Sequence, residues 1–451
     1  MSELASGIGH KCSTFVSIHP LFFIILVGLA IRFILIPLFS FSFDMSFWVT
    51  TGLTFESNRD MYDSSTFWYP PLWGYILGLI TELSNLVGLN ISGELFANLV
   101  LASEESTIPH TTITTIEANV FYKSPLVIID VVTAWVLYKM VLMMTQDRKK
   151  ANWAFGLWFL CPLVIWSSAV ACMFDSLVAL FTIMSIYFLM KGNYVFTGVA
   201  LAIAISTKVF PICLFFVVFV YVMLKYRGEL KAIFKNIGLV LIGGVVTCVV
   251  VYLPTMLSGD FLRSFGFFSA RLENSEASWN IMNIVSEMSF NQTIQFLPIL
   301  LGVLILVAVF MYRSGERDLD KNLILYSALS FAVIFFWVPT PTHPVAFVPI
   351  LIMAILVCGY RRLSISLALF AVIMTIEAFL LFNVDLLFSL AAYTDILDLD
   401  MVLDQAIKYG HTFETSERIF RVFELLPALS IFIILWRAGC MRIRKKEVST
   451  S

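Results

Sequence analysis

The chain has 451 residues, of which 59% are hydrophobic and only 13% are charged, with a formal net charge of −2 at pH 7. This balance excludes a soluble globular protein, and the chain lacks the basic aromatic face that nucleic-acid-binding proteins carry. Apolar runs long enough to cross a hydrocarbon core of about 30 Å recur from residue 20 to residue 438. The sequence therefore predicts an integral membrane protein built from α-helices.

The positions of the basic residues predict twelve membrane spans. Short basic segments, such as Arg148–Lys150 and Arg361–Arg362, mark the cytoplasmic side of a membrane protein. With both termini in the cytoplasm, every basic segment is accommodated by spans at 20–42, 123–144, 153–168, 170–190, 194–207, 208–225, 236–254, 295–312, 321–338, 344–360, 362–382 and 421–438. The predicted fold class is an all-α polytopic membrane protein of about twelve transmembrane helices, forming one domain over residues 1–451.

The apolar segment 71–89 does not fit this scheme as a further span, because a crossing there would move Arg148–Lys150 to the outer side. It is predicted to be a re-entrant or surface-lying helix that opens at Pro70 and Pro71. The scheme leaves large outer loops at 43–122, 255–294 and 383–420 and a cytoplasmic tail at 438–451.

Three ionisable residues within predicted spans are the most informative: Arg32 in the first, Asp130 in the second and Asp175 in the fourth. A charge in the bilayer is costly unless it faces a polar interior, so we predict a structural ion pair between Arg32 and Asp130. Exchange of the two residues is expected to restore expression that is lost in either single alanine variant. Asp175, near the outer end of the fourth span, either lines a cavity or caps its helix.

A series of motifs follows the spans in a fixed order. Asp44 follows the first span, Tyr69–Leu72 reads Tyr-Pro-Pro-Leu before an apolar helix, and Lys123–Asp130 opens the second span. Further motifs follow at Cys161–Trp166, Met173–Ser176, Thr207–Pro211 and Phe267–Asn280. Together they resemble the GT-C superfamily of polyprenyl-phosphate-sugar-dependent membrane glycosyltransferases. The pattern is most similar to the lipid-linked-oligosaccharide glucosyltransferases and the archaeal and bacterial relatives of the GPI second mannosyltransferase.

This resemblance implies a GT-C-like helical bundle and a hexosyltransferase that inverts the anomeric centre. The donor would be a polyprenyl or dolichyl phosphate sugar, with mannose the first choice and glucose the second. The acceptor would be a lipid-linked glycan or glycolipid on the outer or lumenal face, and the remaining partners would be membrane lipids. Many relatives carry a second acid where this chain has Ser46. No cofactor is therefore predicted, although the acids of the first outer loop leave a divalent metal open.

Sugar transfer to a hydroxyl requires a base, and a carboxylate within hydrogen-bond reach serves well. Asp44 is the predicted catalytic base. The leaving phosphate needs fixed cationic or donor groups, for which the candidates are Lys208, Arg263, Arg271 and His343. The other predicted substrate-binding residues are Asp60, Asp63, Tyr69, Asp175, Glu273 and Trp279. Each of these side chains has a structural alternative as an interfacial acid, a loop contact or a helix cap.

Two other functions remain open on the sequence. A secondary transporter would also be a polytopic bundle with intramembrane charges, but it should show repeated halves, which the sequence lacks. A non-catalytic lipid-handling protein could use the same cavity without needing Asp44. Asp44→Asn should abolish turnover in a glycosyltransferase and hardly change such a scaffold. The endoplasmic reticulum membrane and a microbial plasma membrane are both compatible with the composition.

Overall fold

The computed structural model describes residues 20–64, 67–89, 91, 96–99, 111–266, 297–337, 343–381, 383–394, 396–398, 401–402, 423 and 426–443. The first α-helices are α1 (Pro20–Leu38), α2 (Ser42–Asn58), α3 (Pro71–Leu86), α4 (Ile116–Thr145), α5 (Arg148–Phe159), α6 (Pro162–Ile165), α7 (Asp175–Lys191), α8 (Tyr194–Thr207) and α9 (Leu214–Lys225). They are followed by α10 (Leu230–Ser258), α11 (Leu297–Ser314), α12 (Leu319–Trp337), α13 (Val348–Leu356), α14 (Arg362–Leu381), α15 (Asn383–Tyr393) and α16 (Leu426–Ile443).

Short irregular elements join these helices. A π-helix at Trp166–Val170 extends α6, and 3-10 helices lie at Met61–Asp63, Phe210–Cys213, Arg263–Phe265 and His343–Ala346. The structure also contains two short strands that the sequence did not predict, β1 (Phe96–Leu99) and β2 (Thr111–Ile113). They pair antiparallel, with Phe96 opposite Ile113 and Leu99 opposite Thr111.

The chain is a polytopic helical membrane protein, as predicted. A helix lies at each of the twelve predicted spans. Within the described residues, α1, α4, α10 and α16 are long and apolar enough to cross a membrane, and α5 together with Pro162–Val170 makes a fifth, bent by 46°. At a rise of 1.5 Å per residue, α8 and α13 are too short to cross about 30 Å alone. The twelve crossings therefore stay a prediction.

The first predicted outer loop contains more helix than expected. The first span ends at Leu38, and α2 then begins at Ser42, which places Asp44 in the first turn of a helix and not in an irregular loop. A carboxylate in that turn favours the helix because it opposes the positive end of the helix dipole. Aromatic and polar residues are mixed along α2, so the sequence shows no apolar stripe that would have revealed it.

The other predicted loops need smaller corrections. Helix α15 lies inside the predicted outer loop 383–420, and α16 extends to Ile443, into the predicted tail. Most of the predicted loop 255–294 lies outside the described residues, apart from the end of α10 and the segment to Gly266. These helices continue past the expected boundaries because hydropathy marks the membrane core and not the helix end.

Helices α8 and α10 pack closely through two glycines. A Cβ added to Gly198 would lie 1.9 Å from the carbonyl oxygen of Val240, and one added to Gly243 would lie 2.2 Å from that of Val195. Both distances are impossible for a real side chain. Small residues allow membrane helices to approach until their backbones touch, which increases their van der Waals contact.

The buried side chains form two main clusters. The larger one joins α4–α9 with α11–α14 and α16 and includes Trp158, Phe159 and Leu325. The second lies where α2, α3 and α4 meet the start of α7 and includes Trp48, Trp73 and Phe174. Several of the predicted site residues lie in or beside this second cluster.

Candidate functional site

Four aromatic side chains form the centre of the second cluster, and we call Trp48, Tyr69, Trp73 and Phe174 the aromatic cluster. Trp73 stacks on Phe174 with ring centroids 5.0 Å apart, and Tyr69 packs edge-on against the same ring at 5.1 Å. Trp48 lies 5.6 Å from Phe174 and 6.1 Å from Trp73. Because the rings come from α2, α3, the link before α3 and the residue before α7, the cluster ties four parts of the chain together.

A buried ion pair lies against this cluster. Lys208 Nζ is 2.8 Å from Asp175 Oδ1 and 2.9 Å from Asp175 Oδ2, and the same ammonium lies 4.8 Å from the centre of the Phe174 ring. Asp175 is fully buried as the first residue of α7, where the helix dipole also favours a carboxylate. The structure thus brings together three of the predicted site residues: Tyr69, Asp175 and Lys208.

Several buried donors beside the rings lack a partner. Within the described residues, Trp48 Nε1 and Trp73 Nε1 have no hydrogen-bond partner, and the same holds for Thr51 Oγ1 on α2 and Ser167 Oγ on the π-helix. An indole N–H can only donate, and a buried donor left unpaired costs about 1–3 kcal/mol. The aromatic cluster therefore offers buried donors to a group that carries acceptor oxygens.

Asp44 lies in the same region. It is 7% exposed, in the first turn of α2, one turn before Trp48. It interacts electrostatically with Cys172, which lies two residues before Phe174 and is itself buried. Asp44 was predicted to lie where the first span ends and an irregular loop begins, and the structure instead places it, buried, in the first turn of α2.

The predicted residues Asp60, Asp63 and Arg263 form a second, more exposed group, which we call the rim. Arg263 Nη1 lies 3.7 Å from Asp63 Oδ1, 3.2 Å from Asp260 Oδ1 and 3.3 Å from the carbonyl oxygen of Tyr62. The Arg263 and Asp63 side chains are 59% and 47% exposed, so their attraction is weakened by water. The rim connects the Met61–Asp63 turn to the end of α10.

The rim residue Asp60 shares a hydrogen bond with Asp260. Burial and a hydrogen bond with Asp260 raise the pKa of Asp60 above its ordinary value, and the backbone N–H of Tyr62, which donates to Asp60 Oδ1 at 2.9 Å, opposes this shift. Two carboxyl groups can share a hydrogen bond only when one of them is protonated. The arrangement therefore favours one proton held between Asp60 and Asp260.

The structure places Arg32 and Asp130 in contact, in the arrangement that their intramembrane positions predicted. Arg32 Nη2 donates to Asp130 Oδ2 at 2.9 Å, and Arg32 Nε donates to the same oxygen at 3.1 Å. Two hydroxyls that the sequence analysis missed complete the network: Ser168 donates to Oδ2 and Ser176 to Oδ1, each at 2.6 Å. The only sequence signal for these two contacts was a serine inside an apolar run. Apolar runs contain many serines and threonines, so this signal does not identify the ones that bind Asp130.

Lys123 was also missed as a structural residue. Its ammonium is fully buried and donates to the carbonyl oxygens of Ile36 at 3.4 Å and Phe39 at 2.5 Å. The last carbonyls of a helix have no partner within the helix, so a cation at this end satisfies them and opposes the negative end of the dipole. Lys123 therefore joins the end of α1 to α4.

The remaining predicted residues are not placed at the site. Arg271, Glu273 and Trp279 lie outside the described residues, and His343 begins a 3-10 helix but its side chain lies outside the described part. Among the residues that the structure describes, no group of three or more His, Cys, Asp or Glu side chains is placed to hold a metal ion.

The fold and the site define a polytopic membrane protein whose buried acids Asp130 and Asp175 are held in ion pairs beside a buried aromatic cluster. Residues 49–388 match the model of one protein family, described as the GPI transamidase subunit PIG-U. The match covers most of the chain, and the chain belongs to this family. No curated protein matches the chain.

This assignment overturns the resemblance to GT-C glycosyltransferases. The predictions of a hexosyltransferase, of hexose transfer with Asp44 as base, and of a polyprenyl-phosphate-sugar donor and a glycan acceptor as partners are wrong. Their error has a physical cause. The motifs that carried the resemblance are an acid after a span, an aromatic loop and a Pro-Pro helix start. These motifs determine how a membrane bundle is built and do not specify its chemistry. A shared architecture does not transfer an activity.

Proposed function

We propose that this chain is a non-catalytic membrane subunit of a GPI transamidase, which assembles with the other subunits in the endoplasmic reticulum membrane. The carrying observation is the family match over residues 49–388, which include Asp130, Asp175 and Lys208. This proposal develops the lipid-handling alternative from the sequence. The termini remain assigned to the cytoplasm and the aromatic cluster to the lumenal side, as the basic segments predict.

The contacts of the buried acids support a non-catalytic role. Both oxygens of Asp130 accept hydrogen bonds, from Arg32, Ser168 and Ser176, and both oxygens of Asp175 accept from Lys208. A general base needs a lone pair directed at the proton of its substrate. In this chain every carboxylate oxygen of the two acids already accepts a hydrogen bond from another part of the fold.

We assign the aromatic cluster as the part of the subunit that contacts the polar end of a lipid substrate. The unpartnered indole donors of Trp48 and Trp73 suit phosphate or hydroxyl oxygens, and the Lys208 ammonium next to Phe174 adds positive charge. In this proposal Tyr69 and Asp175 position the rings and the ammonium, and Asp44 holds the start of α2. The rim residues Asp60, Asp63 and Arg263 fix the adjacent turn.

Loss of the chain from cells that carry a GPI-anchored reporter tests the proposed function. A transamidase subunit is expected to leave the reporter as an unprocessed precursor while complete GPI lipids accumulate. Lipid extracts labelled with radioactive mannose and separated by chromatography show which lipids are present. Accumulation of a GPI precursor that lacks one hexose would contradict the proposal, because it would indicate a missing sugar-transfer step.

A pair of tryptophan variants tests the role of the aromatic cluster. Trp73→Phe removes an unpartnered N–H but keeps a ring that can stack on Phe174, whereas Trp153→Phe alters a 65% exposed side chain on α5. We expect Trp73→Phe to assemble with the other subunits but to lower reporter anchoring, with Trp153→Phe unchanged in both respects. Equal anchoring by the two variants would mean that the cluster serves packing alone.

A further inference from the structure

A cavity of about 400 Å³ lies where α11, α12 and α16 meet, and it shares no residue with the aromatic cluster. Its wall includes the end of α11, the turn to α12, the link after α13 and the last part of α16. The predicted orientation puts this end of the bundle in the cytoplasm, because Arg317, Tyr360 and Arg442 of the wall lie within or next to the basic segments 313–321, 361–362 and 437–446 of the sequence. In this orientation the cavity lies at the cytoplasmic surface of the membrane.

Among the described residues, the two arginines that line this cavity have no carboxylate partner. Arg442 donates from Nη1 to Asn322 Oδ1 and from Nε to the Tyr360 hydroxyl at 3.4 Å, and both acceptors are neutral. Arg317 also lines the cavity, and the described residues include no ion pair to either guanidinium. A guanidinium has five N–H donors, so most of those on Arg442 remain for a ligand.

Each of the two acids in the lining lies within ion-pair distance of a cation outside it. Glu316 Oε1 lies 3.6 Å from Arg227 Nη1, and Asp318 Oδ1 lies 3.8 Å from Lys321 Nζ. Neither of these cations lines the cavity. Counting these two cations with Arg317 and Arg442, four positive charges face two acids in and beside the lining.

The side chain of Asn322 holds the turn that contains Arg317. This side chain is 1% exposed, and its Nδ2 donates to the carbonyl oxygens of Gly315 at 3.2 Å and Arg317 at 3.1 Å. Its Oδ1 accepts from Arg442 at the same time. One buried amide thus holds the backbone of Arg317 and the guanidinium of Arg442.

The sequence adds positive charge at the same end of the chain. Arg444, Lys445 and Lys446 follow Arg442 within four positions. Clusters of basic residues next to the cytoplasmic end of a span, and basic pockets between spans, attract the headgroups of anionic lipids. Guanidinium groups suit phosphate because two parallel N–H donors match two of its oxygens.

We propose that this cavity binds a phosphate group between Arg317 and Arg442, with Asn322 as the positioning residue. An anionic lipid headgroup or a soluble phosphate ester can present this group. The transamidase assignment requires neither a lipid nor a soluble phosphate at this cavity. The phosphate site and the transamidase function are therefore tested independently of each other.

The test uses the full chain, purified with any subunits that accompany it and placed in phosphatidylcholine nanodiscs. One series adds increasing fractions of phosphatidylinositol, and the other adds glycerol phosphate to the solution. Thermal unfolding and mass spectrometry of retained lipid report binding. Stabilisation in the first series alone assigns the phosphate to a lipid, and stabilisation in the second series assigns it to a soluble ester. A lack of saturable binding in both series overturns the proposal.

Variants separate the cavity from general surface charge. Arg442→Gln and Arg317→Gln are each expected to raise the concentration for half-maximal binding about tenfold, as the loss of a charge-assisted hydrogen bond implies. Asp318→Asn removes an acid of the lining and should tighten binding a few-fold. Arg148→Gln changes an exposed residue outside the lining, on the predicted cytoplasmic side, and should leave binding unchanged.

Equal weakening of binding by Arg148→Gln and Arg317→Gln would overturn the proposed site. If Arg442→Gln fails to fold, the binding measured for Arg317→Gln tests the proposal. Among the described residues, the side chain of Arg317 makes no hydrogen bond like the one between Arg442 and Asn322.

Discussion

Arg32 and Asp130 are joined by two hydrogen bonds, and the groups around them suit only one arrangement of the charges. Besides Asp130, Arg32 donates to the carbonyl oxygens of Gly28 at 3.2 Å and Phe159 at 2.9 Å. Asp130 accepts from the hydroxyls of Ser168 and Ser176. The cation therefore lies among acceptors and the anion lies among donors, so the pair has a fixed direction between α1 and α4.

This direction changes the outcome expected for the exchanged pair. Arg32→Asp combined with Asp130→Arg would place a carboxylate against the carbonyl oxygens of Gly28 and Phe159, which cannot donate to it. We now expect the exchange not to restore the folded protein that either single alanine variant loses, contrary to the expectation from the sequence. Expression and monodispersity in detergent measure this. Recovery to the wild-type level would show that the surrounding groups contribute little.

The Asp175 and Lys208 pair should be costly to break on one side. Lys208→Met leaves a fully buried carboxylate without its cation, and loss of one partner of a buried pair costs about 3–5 kcal/mol. The double variant Lys208→Met/Asp175→Asn removes both charges and should lower the free energy of unfolding less than Lys208→Met alone. Thermal unfolding in detergent gives the ranking.

The exposed pair of Arg227 and Glu316 is the control for this prediction. Its side chains are 53% and 55% exposed, so Glu316→Gln should cost about 1 kcal/mol or less. If Lys208→Met were as mild as Glu316→Gln, the buried pair would not hold α7 to the end of α8.

The contact between α8 and α10 predicts opposite effects for two glycine substitutions. Gly198→Ala places a methyl group 1.9 Å from the carbonyl oxygen of Val240 and must separate the helices, so the melting temperature should fall. Gly302→Ala, in α11, meets no atom within 4 Å and should stabilise by up to about 1 kcal/mol through helix propensity. Equal melting temperatures for the two variants would be inconsistent with the backbone contact.

The hydrogen bond between Asp60 and Asp260 predicts a dependence of stability on pH. The pKa of Asp60 is raised in the folded protein, so its contribution is complete below its ordinary pKa of 3.8 and is lost as pH rises through the raised value. Asp260→Asn supplies an N–H donor to Asp60 at any pH. The melting temperature of this variant, relative to wild type, should therefore increase between about pH 4 and pH 7.

Asp63→Asn serves as the control for the rim, because Asp63 is 47% exposed and lies beyond ordinary hydrogen-bond distance from Arg263. Its difference from wild type should vary less with pH than that of Asp260→Asn. A difference for Asp260→Asn that stays constant over this range would show that Asp60 and Asp260 do not share a proton in the folded protein.

The sequence predicted the parts of the fold that depend on the membrane. Helices α1 and α10 follow from long apolar runs, and the contact between Arg32 and Asp130 follows from the cost of a lone charge in the bilayer. Helix α2 and the strands β1 and β2 were missed, because their residues have neither the hydropathy of a span nor a clear period.

The candidate site was predictable only in part. Asp175 and Lys208 were each singled out, but their contact spans 33 positions and joins different helices, and no spacing rule reports such a pairing. The unpartnered donors of Trp48 and Trp73 depend on packing that the sequence does not show. The chemistry could not be predicted either, because related helical bundles can carry different functions.

The most direct test of the central claim is transamidation by the purified complex, assembled with and without this chain. A peptide substrate and a GPI lipid are incubated with each preparation, and the anchored product is measured by mass spectrometry. We predict that only the complete complex forms the product and that adding the chain back restores it. Equal product formation without the chain, or hexose transfer from a polyprenyl phosphate by the chain alone, would contradict its assignment as a transamidase subunit.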